Sequence, residues 1–158
     1  MLPGEWFDYP DLELGGVLMT TIQEMLLQSH DGIIRVFPAM PAEWTDAGFR
    51  LRAVGGFLIT AELRRSEVQP FLIESTAGGE CRTEAPWTEA TVKSLASGKV
   101  VGTARNKVLR FGTERGERYL VFHTGASDTL PRLPDTPSAR NGGVKEWHGR
   151  RIGIPRQF

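Results

Sequence analysis

The side chains best suited to proton transfer or ligation are three histidines, His30, His123 and His148, one cysteine, Cys81, and an acidic trio near the start, Asp8, Asp11 and Glu13. The histidines lie far apart and have no metal-ligand spacing, and a single cysteine can neither close an intrachain disulfide nor supply a Cys-based metal site. The surroundings of Cys81, GGECRTE, contain no histidine, so a buried, inert thiol is the plainer reading. No GxSxG elbow occurs, and AGGE and NGGV lack the strand–GxxxxGK–helix setting of a phosphate loop. Each histidine reads as a hydrogen-bonded structural or surface residue. His30 suits a helix end, where a cationic side chain complements the dipole. Asp11 and Glu13, with Asp8, form either a carboxylate cluster or a solvated lead-in to a helix. No metal and no cofactor is expected.

The four tryptophans, Trp6, Trp44, Trp87 and Trp147, sit in Pro- or Gly-rich surroundings. An exposed loop tryptophan can stack on the apolar C–H face of a sugar ring, or it can plug the end of a β-sandwich. Trp44 and Trp87 are the two candidates for carbohydrate stacking.

The elements that would carry these residues are mostly strands. Residues 17–28, VLMTTIQEMLLQ, form the one clear helical pattern. At ~100° per residue, Leu14, Leu18, Met19, Ile22, Met25 and Leu26 fall within an arc of about 140°. Leu27 lies off that stripe and requires cover on a second side, and Asp31-Gly32 is read as the helix terminator. From there the period changes to two. IIRVF is stopped by Pro38 and Pro41, while GFRLRAV and GFLITAEL alternate cleanly. VQPFLIES contains Pro70, which predicts an edge strand or a bulge. ECRTE, ATVKSL, KVVGTA, KVLRFG and ERYLVFH follow, separated by the turn signals RRSE, ASG, ARN and TERG. Short strands at this spacing predict an antiparallel β-sandwich, mainly β, with one N-terminal amphipathic helix and an extended C-terminal tail. The expected organisation is a lead-in and helix over 1–31, a sandwich over 32–123, and a Pro/Gly-rich tail over 124–158 that packs on the domain. The end, RRIGIPRQF, could add one short strand or lie along the body.

A chain of 158 residues suits one domain. Lys plus Arg and Asp plus Glu both number 19, so the net charge is zero. This balance removes the electrostatic footprint of a nucleic-acid binder and any attraction to an anionic membrane. No apolar run approaches the ~20 residues of a membrane span. The start has neither a basic nor an apolar signal region, so the sequence as written is expected in the cytoplasm.

One ordered series of motifs resembles a known family. GGVLMTTIQEMLLQSHDGIIRVFPAMP, then GFRLRAVGGFLITAELR, ESTAGGECR and PW are similar to the C-terminal part of the fucosidase-type enzymes of glycoside hydrolase family 95. The likeness covers residues 11–87, and the final IGIPR resembles the family's ending. Residues 88–122 match only in strand rhythm. The resemblance implies an N-terminal β domain, a helical barrel holding the active site and a C-terminal β-sandwich, with EMLLQSH on the last barrel helix. A parent enzyme of this kind is compatible with secretion. DLELGG resembles the family's Asp-x-Asn-Phe-Gly-Gly pattern, which places Asp11 on a water-activating base. Glu13 and Leu14 depart from that pattern. Inverting hydrolysis needs two opposed groups, and the implied general acid has no counterpart in these residues.

Two classes of function follow. One is a non-catalytic C-terminal domain or fragment of a fucosidase-type glycosidase, inactive alone, that braces a helical barrel and to which Asp11 contributes only in a completed barrel. The other is a free-standing carbohydrate-binding module using Trp44 and Trp87, or an interaction module. The partners these readings imply are a carbohydrate, a helical-barrel partner chain, or a second copy through the N-terminal helix.

Overall fold

A computed structural model describes residues 12–132, 145–147 and 150–152. The helix α1 spans Leu12–Leu26. The strands are β1 (Leu27–Gln28), β2 (Ile34–Val36), β3 (Ala47–Ala53), β4 (Phe57–Arg64), β5 (Glu67–Val68), β6 (Phe71–Ser75), β7 (Gly79–Glu84), β8 (Ala90–Ser94), β9 (Val100–Ala104), β10 (Val108–Thr113), β11 (Arg118–His123), β12 (Lys145–Trp147) and β13 (Arg150–Ile152). The expected β-sandwich with an N-terminal helix is what the chain forms. Its large sheet has the order β3-β4-β6-β11-β8-β9, with β5 on β4, and its small sheet the order β1-β2-β7-β10. All described pairings are antiparallel except β2 with β7.

Alternation puts one apolar face of each sheet into a shared core. Phe49, Phe57, Ile59, Phe71, Ile73, Tyr119, Val121 and Val92 come from the large sheet, and Leu27, Ile34, Val36, Cys81, Leu109 and Phe111 from the small one. Ile59, Phe71, Ile73 and Val121 are fully buried. The Tyr119 hydroxyl donates to Glu117 (2.7 Å) and accepts from the Glu114 amide (2.8 Å), so its polar end is satisfied where the β10–β11 turn closes. Gly56 turns the β3–β4 hairpin at φ 81°, and a Cβ there would lie 2.8 Å from Ala77 Cβ. Only glycine meets both conditions.

The large sheet also buries part of its outer face. Leu120 and Leu72 point away from the core, yet are only 1% and 9% exposed. The chain after β11 crosses over them. Lys93 on β8 pairs with Asp128 at 2.7 Å, and the Arg132 amide donates to Glu62 on β4. The four residues from Asp128 to Arg132 reach about 14 Å when extended, which matches the ~14 Å of three strand spacings between β8 and β4. Lys93 holds the Asp128 carboxyl below its ordinary range.

Two local expectations are corrected. The helix begins earlier than residue 17 and ends at Leu26, because Leu27 and Gln28 pair with Val36 and Arg35 as a strand. Gly32, at φ 77°, therefore serves the β1–β2 turn rather than the helix end. Pro70 does not make β6 an edge strand: it stands one residue before the strand, so its missing N–H removes no ladder bond and β6 lies between β4 and β11. Near the C-terminus, the short strand expected within RRIGIPRQF forms as β13, with β12 paired beside it.

Ile73 lies where β4, β6 and β11 meet and is fully buried. Ile73→Ala is expected to cost about 3 kcal/mol in denaturant unfolding through lost transfer and a residual cavity; a loss below ~1 kcal/mol would show that this junction repacks.

Candidate functional site

Among the described residues, no group of three or more His, Cys, Asp or Glu is placed to hold a metal ion. Cys81 is fully buried, and burial pushes its thiol up to about 12, which agrees with an inert role. His30 is exposed in the β1–β2 turn, and His123 is exposed at the end of β11. Asp11, the residue that the resemblance places on a catalytic base, lies outside the described residues, as do Trp6, His148 and the side chain of Trp147.

Trp44 and Trp87 are placed along one rim of the large sheet. The registers put Ala47, Leu63, His123 and Ala90 at one level. Trp44 and Trp87 precede Ala47 and Ala90 by three residues each. They stand on loops leading into β3 and β8, four strand spacings or about 19 Å apart. Their surroundings differ. Trp44 is 42% exposed, with its amide donated to the Pro41 carbonyl at 3.0 Å. Trp87 is half-buried, stacked on Phe71 (centroids 6.2 Å, 21° between planes) and met edge-on by His123 at 6.4 Å. Phe71 therefore covers one face of the Trp87 indole, and Trp44 offers the more accessible ring.

The feature that the fold leaves most incomplete is α1. Its substantial contacts run to β1, its own continuation. Val17, Leu18 and Met19 are 63%, 58% and 64% exposed, and Leu14 66%. Ile22, Met25 and Leu26 become half-buried only toward the sandwich. Local sequence gives the helix weak support. Gly15 and Gly16 each cost roughly 0.5–1 kcal/mol relative to alanine. Thr20 and Thr21 bond back to the carbonyls of Gly16 and Val17 (3.0 and 2.8 Å), a pattern that slightly destabilises helices. The last turn carries no basic residue. Beside the stripe, a trough of about 640 Å³ runs along Gly16, Thr20, Glu24 and Met25 to Ala39.

The other end of α1 is firmly held. The carbonyls of Met25 and Leu26 accept the amides of Ala39 and Phe37 (3.4 and 2.7 Å), which satisfies two of the carbonyls a helix end would leave unpaired. Phe37, at φ 53°, packs edge-on against Phe49 with centroids 5.1 Å apart. The β1–β2 turn is closed by Asp31, which accepts from the Ile33 amide (3.1 Å) and pairs with Arg35 at 2.9 and 2.8 Å. Arg35 Nε reaches Glu84 on β7 at 3.0 Å. The Arg35 hydrogen bonds, aided by the Ile33 amide, hold the Asp31 carboxyl far below its ordinary range. The sign is that of a depressed carboxylate: the contribution is present at neutral pH and is lost as pH falls below the ordinary value of 3.8 toward the lowered one. Ser29 Oγ accepts the Val54 amide (3.0 Å) and ties the corner to the β3–β4 hairpin. The sequence signal for this arrangement was the surplus apolar surface of the helix. The Asp31–Arg35–Glu84 clamp was missed, because its third member lies 49 residues away from the second.

The family described as "Glycoside hydrolase family 95, C-terminal domain" matches residues 28–121. The matched region starts inside β1 and ends inside β11, so it takes in the sandwich and leaves α1 just outside. No curated protein matches the chain.

The two tryptophans separate in a stability assay. Trp87→Ala removes the ring stacked on Phe71 and is expected to cost about 3 kcal/mol. Trp44→Ala is expected to stay within about 0.5 kcal/mol. Equal losses in urea unfolding would contradict the different settings of the two rings.

Proposed function

Because the chain belongs to the glycoside hydrolase family 95 C-terminal domain family, we propose that it serves as the non-catalytic end of a fucosidase-type glycosidase and braces a helical catalytic barrel through α1. The observation that carries this reading is the apolar stripe of α1, exposed from Val17 to Met19 and lying immediately before the matched domain. A helix of 15 residues is marginal in water without tertiary support. Its stability must come from packing, and its own sandwich supplies that only at the last turn.

The division of labour follows from the chemistry. Glycoside hydrolysis by inversion needs an acid and a base on opposite sides of the sugar, with room for water between them. Six of the described carboxylates, Asp31, Glu62, Glu74, Glu80, Glu84 and Asp128, are engaged by arginine or lysine. The resemblance assigns catalytic duty to Asp11 alone, and only within a completed barrel. The role left to this chain is mechanical. It terminates the barrel's last helix, fixes the direction in which that helix leaves, and shields one flank.

Two outcomes are expected. The purified chain gives no saturable turnover of an aryl α-L-fucoside; turnover would overturn the assignment. In hydrogen exchange, the amides of residues 13–21 lose protection before β4, β6 and β11 by orders of magnitude, and Leu18→Glu leaves the melting temperature of this chain within about 2 °C. A drop of several degrees would show that the stripe packs on its own sandwich and needs no barrel.

A further inference from the structure

We infer that the notch between the C-terminal half of α1 and the β3–β4 hairpin binds a neutral, hydroxyl-rich ligand with an apolar face, the chemistry of a pyranose ring. The notch encloses about 350 Å³, at the low end of the volumes of small-ligand pockets. Its apolar side is formed by Leu27, which is 7% exposed, with Leu51 and Val54. Its rim carries Gln23, Glu24, His30 and Arg52.

The rim brings an acid and a base into one notch without pairing them, whereas Arg35, Arg50, Arg64, Arg110 and Lys93 each face a carboxylate. The side chains of Gln23, Glu24, His30 and Arg52 have no hydrogen-bond or ion-pair partner among the described residues. Glu24 and Arg52 thus share a notch without neutralising each other. A charged ligand would meet one group of its own sign. A hydroxyl both donates and accepts, so a polyol can donate to the Glu24 carboxylate and accept from the Arg52 guanidinium. The Gln23 amide and His30 imidazole add further donors and acceptors. The Leu27 and Leu51 side chains meet the C–H face of a ring. Ser29, whose Oγ accepts the Val54 amide at 3.0 Å, fixes the two walls relative to each other.

The notch adjoins the docking face of α1. At ~100° per residue, Gln23 lies about 95° and Leu27 about 135° around the helix from the centre of the stripe of Leu18, Met19 and Ile22, and Glu24 lines both the notch and the trough beside the stripe. A partner on α1 would border the notch, so the inference is tested on this chain alone and its outcome does not depend on the bracing role.

The test is a nitrogen-15 correlation titration of the full chain. The probes are methyl pyranosides of gluco, manno, galacto and 6-deoxy-galacto configuration to about 50 mM, with glycerol and inorganic phosphate as controls. The expected result is saturable shifts of the Ser29, His30, Arg52 and Val54 amides with at least one pyranoside, and no comparable change with glycerol or phosphate. The Gln23→Ala and Arg52→Ala double variant, whose side chains are exposed, keeps the sandwich spectrum and weakens the apparent Kd about tenfold. Absence of saturable shifts with every pyranoside overturns the inference. So do equal shifts with phosphate, which would mark an anion site, equal shifts with glycerol, or undiminished binding by the double variant.

Discussion

The structure turns on one peptide junction, Leu26 to Leu27. On its helical side, the Leu26 carbonyl accepts the Phe37 amide; on its strand side, Leu27 enters the core opposite Val36. A backbone passing from a helical ladder to a sheet ladder must find partners for the carbonyls that the helix abandons. Here the returning strand β2 and the residues after it supply them, with Asp31, Arg35 and Glu84 closing the turn. The exit direction of α1 is therefore fixed by hydrogen bonds and by the burial of Leu27, although the body of the helix touches little. The exposed stripe and the notch beside it both exist because the helix is held at one end and leaves the sandwich at once.

Among the described residues, the sandwich does not cover that stripe. Its inner faces are filled by the shared core. The outer face of the small sheet carries Arg35, Glu84, Arg82, Glu80 and Arg110, and pairs such as Arg110–Glu80 are solvated there. The outer face of the large sheet is crossed by the segment reaching from Lys93 to Glu62 over Leu120 and Leu72. Among the described residues nothing covers the surface of Val17, Leu18 and Met19, which is the opening that the proposed bracing role would fill.

Much of this was legible in the residues. Period-two runs with Asn, Gly and Ser turns located β2 to β4 and β6 to β11 closely, because each buries one face, and alternation is the direct trace of that burial. The β3–β4 hairpin could be read from GFRLRAVGGFLITAEL. What escaped was long-range. Leu27-Gln28 looks helical from its neighbours and becomes a strand only because Val36 and Arg35 return beside it. Pro70 weakens a strand by local rule, yet it stands outside the ladder whose register Ile59 and Ile73 set. The parallel pairing of β2 with β7 leaves no local mark, and neither does the notch. Gln23, Glu24, His30 and Arg52 come together through the fold, and their types alone suggest a solvated surface.

Under the proposed bracing role, the energetics of the stripe differ between a barrel joined to α1 by the same chain and one that diffuses to it. Burying Val17, Leu18 and Met19 contributes about 1.5–3 kcal/mol each. Ordering a frayed helical segment costs roughly 1–2 kcal/mol per residue, and two of its residues are glycines, which lose the most freedom. The two amounts are similar, so the net gain is small, and association between separate chains carries a further cost of about 4 kcal/mol or more. A covalently continuous partner avoids most of that last cost through its high effective concentration. In that role, a barrel continuous with α1 would meet a lower cost than an independent protein. The same marginal balance leaves the seam sensitive to single substitutions on the stripe, while the sandwich, whose core takes only Leu26 from α1, remains indifferent to them.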